Sequence, residues 1–137
     1  MKYKTIHKSN CYCISLCRAS HAVLDFYDRK FAEKDITTKQ FSLLINLSHM
    51  EEANVAELAE YVNLERSTVT RNLRLLLARG WVRDLAKKTG REHRYAVTAA
   101  GEEQLHACLP IREACQNEIK RFLGEENMQL FTNSVQG

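Results

Sequence analysis

One proline and five glycines in 137 residues leave this chain few points at which a helix must break. With 45% apolar and 8% aromatic residues, that scarcity points to one compact helix-rich unit over residues 1–137, without a linker or internal repeat. No stretch approaches the roughly 18 apolar residues of a membrane span, and the opening MKYKTIHK lacks the apolar centre of a secretion signal. A cytoplasmic protein with no membrane partner is therefore expected. The five cysteines are irregularly spaced, which in that compartment reads as reduced thiols and not as a disulfide scaffold. Also missing are a Gly-rich phosphate loop, GxSxG, HExxH and a paired-carboxylate arrangement of the catalytic kind. Those gaps remove the common hydrolase and oxidoreductase designs, so neither catalytic residues nor a cofactor is expected.

What the chain does have is concentrated between residues 54 and 98. Val55, Leu58, Ala59 and Val62 recur at i, i+3, i+4 and i+7, one face of an amphipathic helix. Asn54 suits its N-cap, and Glu57 completes a capping-box pattern. After the link Asn63-Leu64-Glu65, a second helix over 66–79 is expected to bury Val69, Leu73, Leu76 and Leu77 and to turn Arg66, Ser67, Thr70, Arg71 and Arg74 outward. Glu65 is a poor N-cap, whereas Gly80 suits the left-handed position past the helix end and Arg79 suits the negative end of the dipole. The period then changes to two. Trp81, Arg83 and Leu85 alternate with Val82, Asp84 and Ala86, and His93 to Val97 supply a partner strand across the turn Thr89-Gly90. Thr98 can cap a further helix. Two short helices followed by a hairpin with an exposed tip at 86–93 make a winged helix-turn-helix.

Charge supports nucleic acid as the partner of that segment. From Glu65 to Tyr95 there are nine basic residues (Arg66, Arg71, Arg74, Arg79, Arg83, Lys87, Lys88, Arg91, Arg94) against three acidic (Glu65, Asp84, Glu92), while the whole chain carries only +3. A local basic block on a nearly neutral protein suits phosphate neutralisation and implies salt-sensitive binding. The plainer reading is a solvated surface, which seldom coincides with a recognition-helix layout.

In order and spacing these pieces resemble the MarR family of bacterial transcriptional regulators. ITTKQFSLLINLSH stands as the helix before the DNA-binding pair, and VAELAEYVNLERSTVTRNLRLLLARGWV as the pair itself. TGREHRYAVTAAG is similar to the family's Asp-x-Arg wing pattern followed by Leu-Thr-x-x-Gly, with Arg91 at the wing arginine and Thr98 and Gly101 at the Thr and Gly. Thr89 replaces the acidic residue that would tether that arginine, so a looser wing is expected, and Val97 replaces the leucine. The resemblance implies a mainly α fold with a small β-hairpin wing: a core at about 37–98, and dimerisation helices in 1–36 and 99–137. It implies a DNA-binding repressor that works as a homodimer.

The two ends agree on dimerisation. A helix from about Cys11 to Phe31 carries Cys13, Leu16, Cys17, Ser20, Val23, Leu24, Tyr27 and Phe31 along one stripe, more apolar surface than a lone helix can hide. A second long helix, Thr98 to about Leu123, has a stripe of Leu105, Cys108, Leu109, Ile119 and Phe122, with a kink expected at Pro110. GEENMQLFTNSVQ reads as one more helix. A two-fold dimer would present two recognition helices about 34 Å apart and so read a palindromic operator in double-stranded DNA. At that surface Arg66, Thr70 and Arg71 are assigned to base readout and Ser67 and Thr68 to phosphates. Lys87, Lys88 and Arg91 are assigned to the minor groove or backbone beside the wing, and Arg74 and Arg79 to ordinary helix-surface charge.

What the protein senses is less legible. Cys11, Cys13 and Cys17 cluster in NCYCISLC, with His7 just upstream. They can pack in the dimer interface, as Cys108 and Cys115 can. They can sense oxidants, because a helix N-terminus favours the reactive thiolate. Cys13 to Phe41 is similar to the organic-hydroperoxide-sensing branch of the family, which implies that Cys13 is oxidised and that Tyr27 stands at the tyrosine bonding it; two further tyrosines of that sensor fall at Cys17 and Thr38. Or they can hold zinc or an iron-sulfur cluster, although the spacing is not that of a paired Cys-x-x-Cys site. A small aromatic or amphipathic effector, lined by His21, Tyr27, Phe31 and Phe41, is a further alternative. His49, His93 and His106 are expected at the surface. A module that binds metal or a protein partner, without reading DNA, is the reading from another class; an apolar outward face on residues 66–74 would favour it.

Overall fold

The computed structural model describes residues 11–86 and 92–136. Helix α1 runs Tyr12–Phe31 and leads through a 3-10 turn, Ala32–Lys34, to α2 at Thr38–Met50. Asp35 takes the left-handed conformation that reverses the chain there. Helices α3 (Val55–Val62) and α4 (Arg66–Ala78) form the helix-turn-helix, followed by strands β1 (Val82–Asp84) and β2 (Tyr95–Val97), then α5 (Ala99–Leu123) and α6 (Glu125–Gln136).

Local chemistry sets most of these ends. Thr37 and Gln40 close a capping box on α2, and Asn54 and Glu57 close one on α3. Glu65 gives α4 no side-chain cap, and Gly80, at φ 74°, takes the left-handed position just past its end. Thr98 does two jobs: its hydroxyl accepts the Gly101 amide at 3.1 Å and donates to the Gly80 carbonyl at 2.6 Å, stitching the end of α4 to the start of α5.

The core lies around α2, which packs against α1, α3, α4, α5 and β2. Leu43, Leu44 and Leu47 of α2 meet Leu58, Val69, Leu73, Leu76, Val82, Leu105 and Cys108. Phe31, the last residue of α1, stacks on Phe41 with centroids 4.8 Å apart. Most of α1 contributes nothing to this core: residues 11–23 are exposed, Tyr12 at 82%. Phe122 on α5 is 86% exposed.

Several expectations need correction. The buried face of α4 includes Asn72, whose side-chain amide donates to the Thr68 carbonyl at 2.8 Å, while Leu77 is only half-buried. The strands have three residues each, shorter than the alternation suggested, paired Val82↔Val97, Arg83↔Ala96 and Asp84↔Tyr95. Ala53, just before α3, adds a bridge to Tyr95. Cys108 and Cys115 are buried inside the single chain, not held in reserve for a partner. The position of Pro110 needs no correction, since it lies inside α5 as expected.

Candidate nucleic-acid interface

Helix α4 presents one polar face because the other is fixed by Val69, Asn72, Leu73 and Leu76. Arg66, Ser67, Arg71 and Arg74 are exposed, and Thr68 and Thr70 are half-buried beside them. Among the described residues, no side chain occupies the first-turn amides of α4, so these donors face outward with the positive end of the helix dipole behind them, a setting suited to an anion. Guanidinium groups and hydroxyls at the front of a helix can hydrogen-bond both base edges and phosphates. The five helix residues expected to read DNA are thus brought together. Lys87, Lys88 and Arg91, assigned to the wing, lie outside the described residues, as do Thr89-Gly90.

Two arginines counted in the basic block are turned to other uses. Arg79 lies over the Trp81 ring at 4.2 Å and donates from Nη1 to the Asp35 carbonyl at 2.9 Å. Arg94 is bound to two acids: its Nε donates to Glu52 Oε1 at 3.0 Å, and its terminal nitrogens reach Glu57 at 3.2 and 3.3 Å. Glu57 accepts the Asn54 amide as well, and that bond, followed by the one from Arg94, holds its carboxyl below the usual carboxylate range. Across the hairpin, Asp84 Oδ2 meets His93 Nδ1 at 2.6 Å. The Ala86 amide, with His93 adding to it, holds the Asp84 carboxyl low. A count of charge along the chain does not contain these ion pairs and bonds, because Asp35 lies 44 residues from Arg79, and Glu52 and Glu57 lie 42 and 37 residues from Arg94.

The sensor residues are less gathered. Cys11, Cys13 and Cys17 are exposed at the start of α1, where Cys11 is the N-cap residue without a side-chain cap. Tyr27 is on the same helix about 21 Å further along at the standard helical rise. Within one chain it cannot bond Cys13, so the contact implied by the hydroperoxide sensors would have to be made across a dimer. Tyr27 instead packs edge-on against Phe26, and burial, followed by the nearby Cys115, pushes its hydroxyl pKa up. It also lines a recess of about 220 Å³ with Phe31, Thr38, Phe41, Ser42, Ile45 and Arg112. His21 is exposed and does not line it. His49, His93 and His106 are exposed, as expected. Among the described residues, no group of three His, Cys, Asp or Glu side chains is placed to hold a metal, and no helix is long and apolar enough to cross a membrane.

A family model described as MarR family matches residues 36–91. The transcriptional regulator MosR of M. tuberculosis, solved alone and in complex with DNA, is 30% identical, with 93% of this chain and 95% of that one covered and a TM-score of 0.78. A variant of MarR from E. coli, solved with operator DNA, is 23% identical over 93% of this chain and 97% of that one, with a TM-score of 0.74. Comparison with curated proteins gives no match. The chain belongs to the MarR family. It is a mainly helical winged-helix transcriptional regulator and not an enzyme.

Proposed function

We propose that the chain is a cytoplasmic repressor that binds a palindromic operator in double-stranded DNA as a homodimer. The observation that carries this reading is the outward face of α4, where Arg66, Ser67, Thr70 and Arg71 stand together at the helix end with uncapped amides. The MosR structure with DNA supports it from a relative similar over nearly the whole chain. In this reading Arg66, Thr70 and Arg71 read bases, Ser67 and Thr68 hold phosphates, and Lys87, Lys88 and Arg91 follow the adjacent backbone or minor groove. The chain acts as one unit, with residues 37–98 as the DNA-binding core and 1–36 and 99–137 for dimerisation. Uncovered apolar side chains such as Tyr12, Leu16, Phe122 and Leu130 support a second copy as their cover.

Release follows from a change in the spacing of the two reading heads. Exposed Cys11, Cys13 and Cys17 support thiol oxidation as the trigger. The recess beside Tyr27, apolar apart from Thr38, Ser42 and Arg112, supports a small aromatic anion as the alternative. A mobility shift with the DNA upstream of the chain's own gene tests the main reading. Binding that weakens steeply with salt is expected, and no binding to any DNA at low salt overturns it. Adding hydroperoxide or a small aromatic acid to the same assay separates the two triggers.

A further inference from the structure

Strand β2 is fastened to the turn between α2 and α3 by two sets of bonds. In the backbone, the Tyr95 amide donates to the Ala53 carbonyl at 2.8 Å, and the Ala53 amide donates back to Tyr95 at 3.1 Å. On either side of this bridge the side chains repeat the connection. Arg94 holds Glu52 by Nε and Glu57 by both terminal nitrogens, and Asn54 Nδ2 donates to Glu92 Oε1 at 2.6 Å. Asn54 and Glu57 are also the pair that caps α3. One network therefore runs from the wing strand through the first turn of α3, the helix packed against α4.

We propose that Arg94 is a positioning residue for DNA binding: clamped by Glu52 and Glu57, it fixes the wing relative to the recognition helix and touches no phosphate itself. Its effect on DNA rests on the reading given under Proposed function. Arg94 has acids on two sides, its side chain is only 32% exposed, and leaving them for a phosphate would strand both carboxylates in the field of the DNA. The acids make the idea separable from plain electrostatics. If Glu52 and Glu57 were mere surface charge, neutralising them would tighten binding by reducing repulsion from phosphate. If they hold the wing, neutralising them weakens it.

The test compares Arg94→Ala, the double variant Glu52→Gln/Glu57→Gln, and the triple variant, each well below its melting transition. Glutamine at position 57 retains the capping box, so α3 keeps its start. Without DNA, hydrogen exchange at the Ala53 and Tyr95 amides should quicken about threefold in every variant. With promoter DNA, affinity should fall about three- to tenfold in the double variant and in Arg94→Ala, with the triple variant no weaker than Arg94→Ala alone. Unchanged exchange overturns the clamp whether or not DNA is bound. Faster exchange with equal or tighter DNA binding in the double variant overturns the positioning role, as does an Arg94→Ala loss that also lowers the salt slope by about one. Wild-type protein that binds no DNA overturns the functional reading instead, and the exchange result then decides the clamp by itself.

Discussion

Asp28 and Thr38 are joined twice: one carboxylate oxygen accepts the Thr38 backbone amide at 2.7 Å and its hydroxyl at 2.6 Å. The pair ties α1, with its exposed thiols, to the first turn of α2 in the core. Asp28→Ala removes both bonds and leaves a half-buried amide without its partner. The expected cost is about 1–3 kcal/mol, read as a lower urea midpoint at unchanged slope. A loss below about 0.5 kcal/mol would mean that water replaces the carboxylate without penalty.

Gly101 is required by space. A Cβ there would stand 2.1 Å from the Trp81 carbonyl oxygen and 2.6 Å from Val97 Cγ1. Since the Thr98 stitch holds these segments together, neither neighbour can yield cheaply. Gly101→Ala should lower stability by about 2 kcal/mol or more, measured by thermal or urea unfolding. Wild-type stability in this variant would show that the α4–β1 junction shifts freely.

Arg71 and Arg79, alike in sequence, should behave differently. Arg71→Ala is expected to weaken operator binding by about 1–3 kcal/mol, as for an arginine on a base edge. Arg79→Ala should leave DNA affinity within about twofold and reduce stability by about 0.5–1 kcal/mol, through loss of its contact with Trp81. Titration of the same labelled DNA with both variants checks the contrast. Equal losses would contradict the assignment.

Thiol reactivity should divide the five cysteines. Burial pushes the Cys108 and Cys115 thiols above their usual value of 9.0 and removes them from solvent. At pH 8 these two should alkylate at least about tenfold more slowly in the folded protein than in denaturant, whereas Cys11 at the start of α1 reacts readily. Mass spectrometry of partly labelled protein reads this site by site. Fast labelling of Cys108 would show that α5 opens from the core.

The wing contacts should depend on acid. Glu57 and Asp84 have folded pKa values held below their ordinary 4.5 and 3.8, so the stability they add is fully present above those values and is lost as pH falls through the folded ones. Protection of the Tyr95 amide, corrected for intrinsic exchange, should thus be flat from neutral pH down to about 5 and decline below 4.5. A decline that begins near neutrality would assign the transition to another group.

Local interactions were legible in the sequence because they depend only on spacing. The capping pair Asn54 and Glu57, the left-handed Gly80, the Thr98 cap and the buried stripe of Val69, Leu73 and Leu76 act within one or two helical turns, where residue type and interval already fix the geometry. Those features established the helix-turn-helix and its polar reading face. Only the tertiary structure decided which of the described basic residues are engaged within the chain itself. Arg94 turns to Glu52 and Glu57 and Arg79 to Trp81 and Asp35, while Cys108 and Cys115 pack inward with the chain's own core. The reason is distance along the chain: a charge's partner 40 residues away is chosen by how the helices pack, and no count of nearby residues contains that information.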